Sequence, residues 1–395
     1  MPGPARSRWI AVGVILLATS LSFLDRQVLA ALAPLLKEEF RLSNEGYGYV
    51  VSAFSLSYAF FAPAAGWFID RVGLNRGVTL AVGLWSLAAA ATGWSRDVAG
   101  LLICRAALGM AEAGGIPASS KAIAVYLAPG ERAVGSALNQ VGITIGMVAA
   151  PLAAGGLAGW YGWRAAFVAT GLLGLAWIPL WLATARRIPA AAPQDAPAPS
   201  PAPVKDLRLW GLAAANFLMM TVYSLWMNWT TVFLVSGHGL TQAQANRWLA
   251  WIPPVFASAG GLFGGWMSLR WARGGAPLYQ ARLRAAAASA VFLLTTAAVP
   301  WAPGAVPATA LICLSFFMAV SMSVNIYTMP LDLFGAGRAA FAVSILTASY
   351  GLMQTAVSPL FGWTIDRHGF APVCAVCGVL PLAAAGLLAL VGRKQ

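Results

Sequence analysis

Long apolar runs dominate the chain, and short polar or glycine- and proline-containing segments separate them. A helix needs roughly 20 consecutive apolar residues to cross a bilayer. The pattern predicts twelve such helices, over about 9–35, 46–69, 76–95, 98–127, 133–158, 164–186, 209–236, 243–269, 281–301, 305–332, 340–365 and 370–392. These spans use nearly the whole sequence, so the pattern predicts an all-α membrane protein without a soluble domain.

The first apolar run contains Asp25 and Arg26 and becomes apolar again at Val28. The apolar core of a cleavable signal peptide is uninterrupted and does not contain a pair of charged residues. Although residues 31–33 resemble a cleavage site, we expect one long helix that is retained in the mature protein.

One connection differs from the short loops, because residues 188–206 read IPAAAPQDAPAPSPAPVKD. A proline-rich segment of this kind forms neither a helix nor a core, so we expect an extended linker. The predicted domains are a six-helix lobe at 1–186, a cytoplasmic linker at 187–208 and a second six-helix lobe at 209–395. The two halves contain weakly similar segments. GWFIDR at 66–71 resembles GWMSLR at 265–270, and RAVGSA at 132–137 resembles RAAFAV at 338–343.

Composition and charge support this picture. The chain is 59% hydrophobic and only 9% charged, whereas soluble proteins are about 25% charged. Most of the 25 Lys and Arg residues fall in loops on one side of the predicted spans, which places both termini in the cytoplasm by the positive-inside rule. The net charge of +13 is therefore mostly a topology signal and does not indicate nucleic-acid binding.

The loop after the second span carries a recognisable motif, GWFIDRVGLNR at 66–76. It resembles the loop signature of the major facilitator superfamily, whose conserved positions match Gly66, Asp70, Arg71, Gly73 and Arg76. Other stretches resemble the anion:cation symporter branch, and hexuronate and galactonate permeases are the nearest group. These stretches are LDRQVLAALAPLLKEEF, RAALGMAEAGGIPASSKA, LAPGERAVGSALNQVG, YGWRAAFVATGLLGLAW, WLAWIPPVFASAGGLFGGW and MPLDLF.

The resemblance implies a two-lobed transporter of a sugar acid, with the substrate near the midplane between the lobes. This sequence departs from the family pattern at four places. Leu269 replaces an acidic residue of the second-half loop, Gly115 replaces an asparagine, and Ile143 replaces a glutamine. An arginine of the seventh span in the glutamate transporters is missing. Three of these departures touch the expected cavity and leave the exact substrate open.

Five charged residues lie clearly within the predicted spans, away from their ends, namely Asp25, Arg26, Arg105, Glu112 and Lys121. A charge at the bilayer centre costs about 2.5–3.5 kcal/mol or more, so such residues are candidates for function. Arg105 and Glu112 are seven residues apart and share one helix face, about 10 Å apart along the axis. The structural alternative is mutual neutralisation, with Asp25 paired to Arg105 and Glu112 to Arg26.

Chemistry suggests a role for each charge. Arginine stays protonated and binds a carboxylate with two parallel hydrogen bonds, so Arg26 and Arg105 are the expected substrate-binding cations. Proton coupling needs a group that changes its charge state, which indicates Asp25 and Glu112. When the substrate occupies an arginine, that arginine no longer stabilises Glu112 as an anion. Glu112 then keeps its proton, and substrate and proton load together.

Polar and aromatic side chains in apolar spans form a second set of candidates. A sugar acid needs hydrogen-bond partners for its hydroxyl groups and an aromatic surface for its ring. Tyr58 matches a tyrosine of the galactonate-type relatives, and we expect it to bind substrate with Asn139, Trp226 and Gln354. The alternative for each polar residue is a hydrogen bond between helices.

A cytoplasmic gate is the third expectation. Asp70 and Arg71 end the second span, Glu131 and Arg132 precede the fifth, and Asp332 and Arg338 flank the corresponding turn of the second half. With Gly66, Gly73 and Arg76 they form the predicted gate. Ordinary surface salt bridges, worth about 0–1 kcal/mol each, are the alternative.

The sequence therefore indicates proton-coupled import of a small organic anion, a sugar acid such as a hexuronate or aldonate, by a monomer in the bacterial inner membrane. An exporter, an uncoupled facilitator and a carrier of a lipid-like substrate remain alternatives on the same fold. A membrane-embedded enzyme is the remote one, because His238 and His368 fall in separate outer loops. We expect the proton as coupling ion, the bilayer as partner, and neither a cofactor, a metal nor nucleic acid. Cys374 and Cys377 are expected to be ordinary apolar-core residues.

Overall fold

The computed structural model describes residues 4–128, 131–188 and 204–392, except for the side chains at 4–6, 63, 70, 133, 336, 337, 339 and 340. Regular structure within these ranges is helical. The first half contains α1 (Pro4–Ala31), α2 (Ala33–Glu39), α3 (Asn44–Val72), α4 (Leu74–Thr92), α5 (Val98–Glu112), α6 (Gly115–Tyr126), α7 (Arg132–Tyr161) and α8 (Trp163–Arg187). The second contains α9 (Leu207–His238), α10 (Gln242–Trp248), α11 (Ile252–Arg273), α12 (Leu278–Leu293), a 3₁₀ helix (Leu294–Trp301), α13 (Ala305–Phe334), α14 (Ala336–His368) and α15 (Phe370–Gly392).

Within the described ranges, 9 helical stretches are long and apolar enough to cross a membrane. They fall on α1, α5 with α6, α7, α8, α9, α12 with the 3₁₀ helix, α13, α14 and α15. The predicted spans 46–69 and 76–95 overlap α3 and α4, and the span 243–269 overlaps α10 and α11; these helices are outside this set of nine.

Several predicted spans are broken helices, and proline explains two of the breaks. The expectation of one uninterrupted helix over 9–35 is wrong, because α1 ends at Ala31 and α2 begins at Ala33, with a proline in its first turn. The predicted span 243–269 is similarly split into α10 and α11, and α11 also has proline in its first turn. Proline has no N–H and clashes with the preceding turn, so the first turn of a helix is the position that accommodates it best.

The helices form two compact units. The first comprises Met1–Leu42 and Tyr49–Ala196, and the second comprises Ser43–Gly48 and Pro197–Gln395. The boundary at 196–197 lies within the predicted linker 187–208, most of which is outside the described residues. Sequence patterning did not anticipate that Ser43–Gly48 groups with the second unit. There the carboxylate of Asp366 accepts hydrogen bonds from the Asn44 backbone N–H at 3.0 Å and from its Nδ2 at 2.8 Å.

The core of the first unit is aromatic and centres on α4, α6 and α8. Trp177 and Trp181 stack with their ring centroids 5.8 Å apart, and Tyr126 meets Trp181 edge to face. The Trp177 indole N–H donates to the Val14 carbonyl on α1 at 2.7 Å. This bond satisfies the polar atom of a buried tryptophan and fixes α1 against α8.

In the second unit, α11 packs closely on α13. A Cβ atom at Gly260 would lie 2.0 Å from the Phe317 carbonyl oxygen, so only glycine allows the two backbones this approach. Small residues serve this purpose in membrane helices generally. Asn325 adds a polar link, since its Nδ2 donates to the Gly264 carbonyl at 3.1 Å.

Two turns show the internal repetition of the fold. Gly73 alone separates α3 from α4, and Gly335 alone separates α13 from α14. Their φ angles are +85° and +71°, a region that residues with a Cβ atom rarely adopt. Glycine at these positions therefore permits two long helices to reverse direction through a single residue.

Candidate functional site

The charged residues within the first unit converge around an ion pair. Arg26 Nε on α1 donates to the Glu112 carboxylate at the end of α5. The Glu112 side chain is fully buried, and that of Arg26 is 14% exposed. Burying a single unpaired charge costs several kcal/mol of free energy, and each residue of the pair offsets part of that cost for the other. The predicted alternative pairing of Glu112 with Arg26 is thus present in the structure.

Aromatic rings surround the Arg26 guanidinium. Its central carbon lies 4.8 Å from the ring centre of Phe23, 4.9 Å from that of Phe54 and 4.6 Å from that of Tyr58. The Phe54 ring is shared, because the Arg105 guanidinium lies 5.1 Å from the same ring centre. Cation–π contacts contribute about 0.5–2 kcal/mol each, and more when water is excluded. Phe54 therefore connects the two expected substrate-binding arginines.

The position of Phe54 depends on a glycine of α5. Gly109 lies between Arg105 and Glu112 on the same helix face, and a Cβ atom there would lie only 2.2 Å from the Phe54 carbonyl oxygen. Direct backbone contact between α3 and α5 is possible only without that Cβ atom. The spacing of seven residues and the small residue between them together place both charges of α5 against α3.

Asp25 lies next to this group and is almost fully buried, with 1% of its surface exposed. Its two carboxylate oxygens accept no hydrogen bond from the described residues. Arg105 and Glu112 interact with it electrostatically, and the Thr170 hydroxyl of α8 lies beside it. That hydroxyl donates instead to the Phe167 carbonyl at 3.2 Å. Burying a carboxylate is costly unless it is paired or hydrogen-bonded, so Asp25 remains a candidate for function.

Asn139 is connected to the site by a hydrogen bond from the Thr19 hydroxyl, which is paired with the Ser119 hydroxyl. The Thr19 hydroxyl donates to Asn139 Oδ1 at 3.0 Å and lies 2.9 Å from the Ser119 hydroxyl. All three residues line a small cavity with Arg26 and Gly115, with a volume of about 20 Å³. That volume holds about one water molecule. The absence of a side chain at Gly115 contributes to this space, since only Trp85 lies within 4 Å of a Cβ atom built there.

The predicted substrate residues Trp226 and Gln354 lie in the second unit. Trp226 is 2% exposed, and its indole N–H donates to the Ser315 hydroxyl at 2.8 Å. Ser315 is in turn 2.7 Å from the Thr296 hydroxyl, so Trp226 belongs to a buried network of its own unit. Gln354 on α14 is 6% exposed. Their role with substrate stays a prediction.

The gate residues of the first unit lie at the ends of α3 and α4. Arg71 lies over the Trp67 ring at 5.4 Å, Gly73 makes the turn, and Arg76 is exposed. Gly66 faces α6, because Pro117 is 3.9 Å from a Cβ atom built on it. The side chain of Asp70 is outside the described residues.

Hydrogen bonds made by three charged residues stabilise the C-terminal half of α6 and the turn after it. The residues are Lys121, Glu131 and Arg132. Lys121 Nζ donates to the Ile69 carbonyl at 3.1 Å, which fastens α6 to the end of α3. The Glu131 carboxylate accepts from the Ala128 N–H at 3.0 Å. The Arg132 guanidinium donates to the Ala124 carbonyl at 3.0 Å, near the negative end of the α6 dipole.

In the second unit, Asp332 has a partner that the sequence did not indicate. Arg282 on α12 forms an ion pair with the Asp332 carboxylate, and its Nη1 donates to the Thr328 hydroxyl at 2.7 Å. The Asp332 side chain is 6% exposed and that of Arg282 is 21% exposed. Arg338, the other predicted gate residue of this unit, is exposed near the start of α14.

Sequence reasoning missed Phe23, Phe54, Thr170 and Arg282. The first two carried a usable signal, because Phe23 is three residues before Arg26 and Phe54 is four before Tyr58. Such spacings place side chains on one helix face. Thr170 and Arg282 depend on tertiary packing alone. In the described part of the chain, no group of three or more His, Cys, Asp or Glu residues is placed to hold a metal ion.

Comparison with known sequences gives a consistent result. A family model for the Major Facilitator Superfamily matches residues 15–352. A hexuronate transporter of Escherichia coli K12 is 28% identical over 402 residues, which cover 96% of this chain and 92% of the relative. A galacturonate transporter of Dickeya chrysanthemi is 30% identical over 283 residues, which cover 66% of this chain and 81% of the relative.

Solved structures support the fold independently. A bacterial homologue of the human lysosomal transporter Spinster, crystallised in an inward-facing and occupied conformation, matches with a TM-score of 0.80. The match covers 100% of this chain and 98% of that one at 21% sequence identity. At this identity the likeness concerns the fold alone.

Proposed function

The chain belongs to the Major Facilitator Superfamily, and we propose that it imports a sugar acid together with a proton by alternating access. It is a transporter rather than an enzyme. The observation that carries the proposal is the buried ion pair of Arg26 with Glu112, beside Asp25 and Arg105. An apolar replacement of such a pair is often neutral or stabilising, so retaining it in a membrane protein indicates function.

The ion pair suggests how substrate and proton are coupled. A substrate carboxylate that binds Arg26 competes with Glu112 for the same guanidinium. Glu112, buried and deprived of its cation, then takes up a proton. Release of the substrate restores the pair and expels the proton. The arginine for which substrate and Glu112 compete is then Arg26, because Arg26 donates directly to the Glu112 carboxylate.

The substrate class is a sugar acid. Arg26 and Arg105 supply two cations for a carboxylate, while Tyr58, Asn139, Thr19 and Ser119 supply an aromatic ring and hydrogen-bonding groups nearby. The names of the relatives, hexuronate and galacturonate transporters, support the same chemistry. Trp226 and Gln354 are proposed to contribute from the second unit.

The remaining features of the proposal concern topology and setting. We propose twelve spans, formed by α1 with α2, α3, α4, α5 with α6, α7, α8, α9, α10 with α11, α12 with the 3₁₀ helix, α13, α14 and α15. Both termini face the cytoplasm of a bacterium, and the protein acts as a monomer in the inner membrane. The proton is the coupling ion and no other cofactor is required. The predicted gate residues are proposed to bias the inward- and outward-facing states.

Uptake by the purified protein in liposomes tests this function. Radiolabelled D-galacturonate should accumulate above its external concentration when the exterior is acidic, and it should be recovered chemically unchanged. D-galactose, which lacks the carboxylate, should not accumulate. Equal uptake with and without the proton gradient would indicate an uncoupled facilitator. A failure of D-glucuronate, D-galactonate and D-galacturonate alike to enter would remove the sugar acid proposal.

A further inference from the structure

Both histidines of the chain, His238 and His368, line the same cavity, although 129 positions separate them in sequence. The cavity lies in the second unit, where α9 and α14 end and α15 begins. Its volume is about 400 Å³, within the range of about 300–1,000 Å³ that is usual for small-molecule sites. The proposed transport cycle uses neither histidine.

Each of the two imidazoles contacts an aromatic ring. The His238 ring meets Phe233 edge to face with centroids 5.2 Å apart, and His368 lies 6.4 Å from Trp363. Each imidazole carries an N–H donor in its neutral form and two in its charged form. The first residues of α15, Phe370 and Ala371, also line the cavity, and the first N–H groups of a helix have no partner within it.

Other lining residues suit a hydroxylated ring. Trp301 lines the cavity with 78% of its surface exposed, so an aromatic face is accessible there. Asn44 and Ser236 add an amide and a hydroxyl. Asp366 fixes Asn44 at this position through its hydrogen bonds to the backbone N–H and to Nδ2, at 3.0 and 2.8 Å.

We propose that this cavity is a second binding site for the sugar acid, separate from the arginine site of the first unit. The imidazoles bind the carboxylate, Trp301 supports the apolar face of the ring, and Asn44 and Ser236 bind hydroxyl groups. An aromatic surface with a few convergent polar groups is the usual composition of such a site. The ligand class rests on the proposed function, but the geometry of the cavity is independent of Arg26 and Arg105.

The small number of histidines allows a direct binding test. Full-length protein without a histidine tag, labelled with ¹³C at the imidazole ring, should give two histidine signals, which His238→Gln and His368→Gln assign. Titration with D-galacturonate should shift both signals saturably, with one common midpoint. Arg105→Lys should retain these shifts, because the cavity does not contain Arg105. Arg367→Gln, which removes a neighbouring cation outside the cavity lining, should also retain them.

Three results would overturn the second site. The first is that the histidine signals do not move with D-galacturonate. The second is that potassium acetate at equal concentration moves them as far as D-galacturonate does. The third is that the shifts vanish in Arg105→Lys. The last result would mean that the histidines report on the arginine site. Uptake measured on the wild-type protein separates the two proposals. Histidine shifts without transport would leave the cavity site standing and refute the transport function, and transport without shifts would do the reverse.

Discussion

Arg26 of α1 forms an ion pair with Glu112, the last residue of α5. The pair joins two helices that are far apart in sequence, and separating its members leaves a buried charge without its partner. Asp25, the neighbour of Arg26, is equally buried but accepts no hydrogen bond from the described residues. Glu112 thus accepts a hydrogen bond directly from a cation, whereas Asp25 interacts with Arg105 electrostatically. The two predicted proton-coupling carboxylates therefore differ in their immediate partners.

Arg105→Lys should weaken sugar acid binding without unfolding the protein. A lysine keeps the charge but loses the planar group that binds a carboxylate with two hydrogen bonds. Affinity and melting temperature should be measured on the same purified sample, with D-galacturonate as ligand. Unaltered affinity with a clear loss of thermal stability would assign Arg105 a structural role and exclude it from the substrate site.

Phe54→Leu should lower substrate affinity roughly two- to thirtyfold, as expected from losing cation–π contacts worth about 0.5–2 kcal/mol. The leucine keeps most of the apolar volume, but it removes the ring that both arginines share. Phe60→Leu is the matched control, because Phe60 lies on the same helix and is 75% exposed. If both variants bind D-galacturonate equally well, the ring of Phe54 does not organise the arginines.

Asp332→Asn should destabilise the second unit by ~1–3 kcal/mol, because it leaves Arg282 largely buried without its anion. Thermal unfolding measures the effect. Arg284→Ala on the same helix removes an exposed arginine and should change the melting temperature much less. Exchanging the charges of Arg282 and Asp332 should recover part of the loss. Equal shifts for Asp332→Asn and Arg284→Ala would mean that the ion pair contributes nothing specific.

The linker should be accessible only from the cytoplasm. A cysteine introduced at Ser200, in a variant without the four native cysteines, should react with an impermeant maleimide in inside-out vesicles but not in intact spheroplasts. Labelling from the outside would invert the predicted topology and with it the positive-inside interpretation of the +13 charge.

The sequence and the structure agree best where burial alone decides the outcome. Apolar run length predicted the helices, and the high cost of intramembrane charge selected Asp25, Arg26, Arg105 and Glu112, which do lie together. The pairing of Arg26 with Glu112 was one of two sequence hypotheses, because residue counting gives depth but not rotation about the helix axis.

Features that depend on packing between distant segments escaped prediction. Phe54 reaches the arginines because Gly109 allows two backbones to touch, and no local pattern encodes that contact. Arg282 and Asp332 pair across two helices for the same reason. The histidines fall in separate outer loops by sequence prediction, yet two helix ends bring them to one cavity. Helix breaks were also underestimated, because apolar run length is insensitive to proline at Pro34.

The most direct test of the coupling hypothesis compares accumulation with exchange in Glu112→Gln. Glutamine cannot release a proton, so the variant should lose accumulation of D-galacturonate driven by an inward proton gradient, while counterflow exchange of the same substrate continues. Glu39→Gln is the control, because Glu39 forms an exposed ion pair with Arg164 at 2.9 Å and should leave both activities unchanged. Loss of accumulation with retained counterflow is the predicted result. Accumulation by Glu112→Gln against the substrate gradient, at the wild-type level, would contradict the proposed role of the Arg26–Glu112 pair.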